Sequence, residues 1–328
     1  MSGLTMGTTY TVRVVAPPTQ LTPHTLRSMV EEELARVDAT MSGYRNDSEI
    51  VRFNTARTTD WLEISPELAY VVSAALEVAR RSNGAFDVTA APLVRLWGFG
   101  PAADEHAPLP DAVAIASVRS RVGSSLVHLQ FQPPSIRKDE PLLEIDLNAI
   151  APGYAVDRIA TRLEQSHVKR YLVDVGGEIR TRGTNREGKR WRVAVENPSR
   201  IDAPPLAVLE VADRAIATSG GYRQFVEKEG QRFSHTIDPR TGAPVAHRLA
   251  SVVVAHDLAM YADAWATAYN VLGPEEGYEL AVRLNMAAMF IIYDSCDDVG
   301  ISLRVKMTPE FERAWGSGVR SETVGCRL

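Results

Sequence analysis

The sequence predicts an α+β protein built from antiparallel sheets with packed helices. Three observations carry this. Alternating, β-branched stretches come in hairpin-like pairs. The helical stripes do not fall one after each strand, as a doubly wound parallel sheet requires. No segment repeats at a fixed short period. The 328 residues are 45% hydrophobic and 23% charged, an ordinary composition for a globular protein with a large core. No low-complexity linker divides the chain, so a single domain over 1–328 is expected, with room for two lobes.

The elements follow in order. Thr8–Val15 alternates and is rich in Thr and Val, which reads as a strand ended by Pro17-Pro18. Thr22-Pro23 is an N-cap followed by Pro at the first helical position, so a helix should run to about Val37. Ser65-Pro66-Glu67 repeats that start signal. Behind it Leu68, Val71, Val72, Ala75, Leu76 and Ala79 form one apolar stripe, and Asn83-Gly84 stops it. Pro101–Pro110 lacks periodicity and reads as a loop. Leu126–Gln132 and Leu142–Leu147 flank Pro133-Pro134 and read as paired strands. Gly153–Leu163 carries a helical stripe. Strands are expected at Tyr171–Val175, Trp191–Glu196, Leu206–Val211 and Leu249–Ala255. Two helices should follow, Asp263–Leu272 and one opened by Pro274-Glu275-Glu276, and then a closing pair of strands, Ala287–Tyr293 and Ile301–Lys306.

Composition excludes several function classes. Lys+Arg 36 against Asp+Glu 41 leaves a net charge of −5. There is no basic arm and aromatic content is 7%, so no nucleic-acid partner is expected. Cys296 and Cys326 have neither metal-type spacing nor a disulfide framework. The first residues, Met1–Tyr10, show no basic n-region, no apolar h-region and no lipid-accepting cysteine. No stretch approaches the ~20 apolar residues of a membrane span. The sequence as it stands points to the cytoplasm, with no integral membrane segment; a chain trimmed of a leader would read the same and act in the periplasm.

Two neighbouring segments concentrate chemistry. Ser234–Val245 sets His235 beside Asp238-Pro239 and Gly242. His235 is either a base titrating near neutrality or a structural histidine in a turn. In Tyr261–Ala268, Asp263 and Thr267 stand one helical turn apart among alanines. A carboxylate in such apolar company is costly unless a cation or donor pairs it. Hard oxygens at this spacing suit Mg²⁺, which keeps few protein ligands and binds substrate phosphates. The glycine-rich nucleotide loops are absent, so a bound nucleotide needs other backbone amides. Asp146–Asp157 offers a turn into a helix start, which is an anion site or an ordinary junction. Asp174-Val-Gly176-Gly177-Glu178 allows close ligand approach or a tight turn. In Gly84–Thr89, Phe86 and Asp87 read either as a ring-stacking pair or as core and turn cap.

Taken together, the segments resemble the ApbE family of FAD:protein FMN transferases. The matching pieces are Met6–Tyr10, Met41–Glu49 with Arg52-Phe53-Asn54, Gly84–Thr89 with Leu96–Gly100, Asp146–Asp157, Asp174–Glu178, Ser234–Val245 and Ala262–Ala268. They occur in the family's order over nearly the whole chain. The resemblance implies a T-fold-like α+β architecture and an enzyme that uses Mg²⁺ and FAD. Such enzymes attach FMN through a phosphoester to a Thr or Ser of a target flavoprotein and release AMP; some relatives instead hydrolyse FAD to FMN and AMP. By resemblance, Met6, Tyr44, Ala85, Phe86, Asp87, Asn148 and Tyr154 contact FAD. The Ala151 carbonyl, Asp263 and Thr267 hold Mg²⁺, and His235 is the base.

Two positions depart from the family pattern. Pro152 stands where Lys or Glu is frequent, which removes a side-chain contact and an N–H. Glu178 follows the Gly-Gly pair where Asp or Asn is frequent. Pro152 keeps open a protein that binds FAD without turnover.

Overall fold

The computed structural model describes residues 1–99, 108–199, 203–221, 225–228, 231–297 and 300–318. It contains two compact units, Met1–Leu34 with Pro152–Tyr222 and His247–Leu328, and Ala35–Ala151 with Arg223–Ala246.

The first unit is organised by an eight-stranded sheet, entirely antiparallel. Its strands are Ser2–Thr5, Thr8–Val14, Tyr171–Val175, Glu178–Arg182, Ala215–Gly220, Leu249–His256, Ala287–Asp297 and Gly300–Met307. Their spatial order is their chain order. After every excursion the chain therefore returns beside the strand it last left. Leu249–Ala255 is buried throughout, as its continuous apolar run requires of a strand covered on both faces. On one face lies the helix Ala259–Arg283. On the other, Val253, Ala255, Met289 and Ile291 join Val193 and Leu209 of the hairpin Trp191–Val195/Ala207–Val211, and Phe311 of the helix Pro309–Trp315.

The expected pair of helices after Asp263 is present: the span Ala259–Arg283 is two helices parted at Gly273, whose φ of 80° and ψ of −175° are not helical, just before Pro274. Pro274 has no N–H for the Asn270 carbonyl one turn earlier. His247 supplies the missing donor, with Nε2 2.8 Å from that oxygen. The ring packs so closely that a Cβ on Gly273 would lie 2.6 Å from His247 Cδ2.

In the second unit the helix Pro66–Arg81 forms as the sequence dictates. Ser65 Oγ accepts from Leu68 N–H at 3.1 Å, and the predicted stripe is buried except at Leu76, which is half-buried. Asn83 (φ 54°) and Gly84 (φ 79°) turn the chain out of the helix in left-handed conformations. A three-stranded sheet joins Leu62–Glu63, Pro134–Lys138 and Val127–Phe131.

One expected pairing is corrected here. Val127–Phe131 pairs with Pro134–Lys138, not with Leu142–Leu147. The latter is irregular, although Leu143, Ile145 and Leu147 are buried in alternation. Its backbone partner at Ile145 is a side chain: Asn54 donates to the Ile145 carbonyl at 2.9 Å and accepts its N–H at 2.8 Å. A side-chain amide thus imitates a neighbouring strand. Most of the expected Pro101–Pro110 loop lies outside the described residues.

Candidate active site

In the first unit, two helices meet at their N-terminal ends. They are Ala151–Gln165, which enters this unit at Pro152, and Ala259–Arg283. Gly153 makes the approach possible, because a Cβ there would lie 2.4 Å from the Ala259 carbonyl oxygen. The ends exchange carboxylates. Gly153 N–H donates to Asp263 Oδ2 at 3.2 Å. Ala259 and Met260 N–H donate to Asp157 Oδ1 and Oδ2 at 3.0 and 2.9 Å. Leu258 offers no side-chain cap of its own, so Asp157 on the neighbouring helix satisfies these two orphan amides.

The electrostatics of this exchange are unequal. Arg180 donates to Asp157 Oδ1 at 2.7 Å, although burial still pushes that carboxyl above its usual range. Asp263, equally buried, is pushed up to about 7, chiefly by desolvation and against the help of the Gly153 N–H. Glu178, at the start of its strand, is raised well above the usual range by desolvation, then by the negative charges of Asp263 and Asp174. An ionised Asp263 thus disfavours a second charge at Glu178, a cost that a nearby cation relieves. Thr267 is half-buried on the same helix as Asp263, one turn further along. Among the described residues no group of three or more His, Cys, Asp or Glu side chains forms a metal cage. A carboxylate and a hydroxyl one helical turn apart are the kind of hard-oxygen ligands that Mg²⁺ takes, one or two per site.

Two hairpin turns belong to the same unit. Met6 (φ 45°) and Gly7 (φ 73°) form a two-residue turn between the Thr5–Thr8 pair. A left-handed conformation is uncommon for Met, and such outliers gather at ligand sites. Gly176 (φ 68°) and Gly177 (φ 109°) turn the next hairpin, and a Cβ on Gly176 would meet Thr8 Cγ2 at 3.1 Å and Glu178 Oε2 at 3.2 Å. Glycine is needed there to hold Glu178 and the first hairpin this close. Tyr154 is buried on the Ala151–Gln165 helix.

The second unit brings its own motif segments together. The Arg240 stem lies against Gly84, 3.7 Å from where a Cβ would stand. Trp97 Nε1 donates to the Gly242 carbonyl at 2.8 Å and its ring packs on Phe233. His235 is half-buried, with the Phe99 ring edge-on at 6.4 Å. The Asp238 carboxylate accepts the Arg240 main-chain N–H at 2.9 Å and its guanidinium at 2.8–3.1 Å. Ala85 and Phe86 are buried. Asp87 takes Thr89 N–H and Oγ1–H on Oδ1 (2.8 and 2.6 Å) and Ser124 N–H on Oδ2 (2.9 Å), which is the turn-capping role. Asn148 is exposed and donates its N–H to Asp146 Oδ1 at 2.8 Å. Tyr44 is 64% exposed, a placement open to a ligand. Ala151 begins its helix, with its N–H on the Leu147 carbonyl at 2.8 Å. Pro152 therefore lies in a first turn, where an N–H has no helical partner to lose. Sequence reasoning missed the Asp157–Arg180 pair and the influence of Asp263 on Glu178. A local signal existed for the first: Asp157 follows Gly153 at the interval by which Asp263 follows Ala259.

The ApbE family model matches residues 6–290. The chain belongs to the ApbE family. Its ApbE relatives include the FAD:protein FMN transferase of Klebsiella pneumoniae, 38% identical over 315 residues, 95% of this chain and 87% of that protein. The FAD:protein FMN transferase of Vibrio cholerae is 39% identical over 294 residues, 89% of this chain and 86% of that protein. Among solved ApbE structures, the apo flavinyl transferase of Pseudomonas stutzeri has a TM-score of 0.87 at 35% identity, over 97% of both chains. The flavin transferase ApbE of Vibrio cholerae has a TM-score of 0.87 at 36% identity, over 96% of this chain and 98% of that one. The α+β class with antiparallel sheets holds. Among the described residues no helix is long and apolar enough to cross a membrane.

Proposed function

We infer that this chain is a FAD:protein FMN transferase that attaches FMN to a Thr or Ser hydroxyl of a target flavoprotein and releases AMP. The observation that carries the reading is the buried Asp263, held by Gly153 N–H where two helix ends meet, in a chain that matches transferases of this name along most of its length. Phosphoryl transfer asks a protein mainly to position groups and to neutralise charge. Asp263 and Thr267, with the Ala151 carbonyl, are the oxygens we assign to Mg²⁺. When bound, Mg²⁺ supplies charge neutralisation at the pyrophosphate and at the departing AMP.

The remaining steps belong to the chain's own residues. Met6, Tyr44, Ala85, Phe86, Asp87, Asn148 and Tyr154 are assigned to FAD. The acceptor hydroxyl oxygen attacks the phosphorus on the riboflavin side. A new P–O bond forms, the bridging P–O bond breaks, and AMP leaves with its electron pair. His235 takes the hydroxyl proton, since a Thr or Ser hydroxyl is a weak nucleophile until a base removes it.

The test supplies FAD, Mg²⁺ and a flavoprotein domain bearing an acceptor Thr. The expected result is a covalently yellow, fluorescent target with one AMP released per flavin attached. AMP release without labelling of several such domains would overturn the transferase reading. In the same assay His235→Ala should retain FAD and slow transfer by about 10²–10⁴-fold, the usual contribution of a positioned base; an unchanged rate would remove His235 from that role.

A further inference from the structure

The reciprocal exchange at the helix ends suggests that one of its carboxylates serves the other. Asp263 lies one turn into the Ala259–Arg283 helix, and the position of that turn is set where the helix begins. Leu258 provides no cap there. Asp157 grips the two leading amides instead, one per oxygen, at 3.0 and 2.9 Å. Arg180 anchors the same carboxylate to the sheet at 2.7 Å. The Glu164 carboxylate stands 3.8 Å from Arg180 and 2.8 Å from Arg182, and it accepts from Tyr171 Oη at 2.6 Å. Gly153, one turn before Asp157 on its own helix, donates to Asp263. Rotation or sliding of the second helix would break the Asp157 bonds and move Asp263 off Gly153 together. The fit is also intolerant of slack, because Gly153 and the Ala259 carbonyl leave no room for one methyl group between them.

We propose that Asp157 is a positioning residue of the metal site: by clamping the Ala259 and Met260 amides from the neighbouring helix, it fixes the Asp263 carboxylate and so sets the affinity for the divalent cation. Asp157 touches neither cation nor FAD in this role. The proposal rests on the assignment of Mg²⁺ to Asp263 made above. Residues that orient metal ligands commonly alter metal affinity about 10–100-fold when changed, and a two-point clamp with its own cationic anchor belongs in that class.

The experiment measures Mg²⁺ binding to the full chain by titration calorimetry, with and without FAD, in the parent, Asp263→Asn and Asp157→Asn. In Asp157→Asn a carboxylate oxygen becomes an NH₂ that faces an N–H, so one grip is lost and the anchoring charge with it. The expected result is Mg²⁺ affinity about ten-fold weaker or worse, with metal-free FAD affinity within about two-fold, since uniform damage to the fold would weaken both. A folded Asp157→Asn protein with parental Mg²⁺ affinity would overturn the proposal. If Asp157→Asn does not fold, Asp157→Glu keeps the charge on Arg180 but shifts the grip by one methylene. Weakened Mg²⁺ binding in that variant supports the proposal, and parental binding overturns it. A parent chain that binds no Mg²⁺, or an Asp263→Asn chain that binds it as well as the parent, would instead refute the metal assignment itself.

Discussion

Asp157 and Asp263 occupy matching places on two helices and have opposite surroundings. Each lies one turn beyond a main-chain donor at its own helix end, and from the other helix Asp157 accepts two N–H groups and Asp263 one. Asp157 has Arg180 at 2.7 Å. Asp263 has only the Gly153 N–H to set against its desolvation, and its charge in turn raises Glu178. One carboxylate is thus paired with a guanidinium, and the other, the one we assign to Mg²⁺, has a single main-chain N–H against its desolvation. Such division is characteristic of functional sites, where a local rule is broken at one place and kept beside it.

The largest expected effect tests this difference directly. Asp263→Ala should lower turnover by about 10²-fold or more, since a divalent cation supplies several kcal/mol of transition-state stabilisation. FAD binding should fall far less. Equal Mg²⁺-dependent rates in mutant and parent would end the comparison. Asp157→Ala should instead act on the fold. It takes the nearer carboxylate from Arg180, leaving Glu164 at 3.8 Å, and leaves two helix amides uncapped, a loss of about 3 kcal/mol for a broken buried pair, read as a lower urea midpoint. A metal-free Asp263→Ala protein that loses as much stability as Asp157→Ala would show that the two carboxylates are not different in kind.

Gly153→Ala sharpens the same contact from the backbone side. Its Cβ must push the helices apart, at a cost of about 1–3 kcal/mol, and Mg²⁺ affinity should fall with stability. A variant with parental stability would mean that the contact yields easily.

The smallest effect concerns pH. The Asp263 carboxyl stands at about 7 against its ordinary 3.8. Between those values the folded protein holds a proton that the unfolded chain has released, so this group's contribution to stability declines as pH rises through that window. Metal-free protein should therefore show a falling melting temperature from about pH 4 to 7, and Asp263→Asn should flatten that fall. Mg²⁺ should raise the melting temperature most at the upper end, where the ligand is already deprotonated. A slope unchanged by Asp263→Asn would locate the titration elsewhere.

Part of this was legible in the chain. The Pro66–Arg81 helix carries its cap, its stripe and its stop within one short stretch, and nothing distant overrides them. The one-turn spacing of Asp263 and Thr267 was readable for the same reason, since helical spacing is local. Glu178–Arg182 escaped because Glu-Ile-Arg-Thr-Arg has little apolar alternation; its membership in the sheet depends on the Tyr171–Val175 and Ala215–Gly220 strands beside it. Leu142–Leu147 misled because period-two burial signals a strand only when a strand is present to pair with it. Here the partner is the Asn54 side chain.

The sequence by itself determined the class of fold, most helices and strands, and the residue types that suit a metal-assisted phosphoryl transfer. These depend on short-range patterns of apolar spacing, caps and turn residues. The tertiary structure alone decided which buried carboxylate has a cation and which lacks one. Arg180, Glu178 and the two helix ends are far apart in the chain, and charge interactions depend on distance in space and on desolvation, neither of which is written in the order of residues.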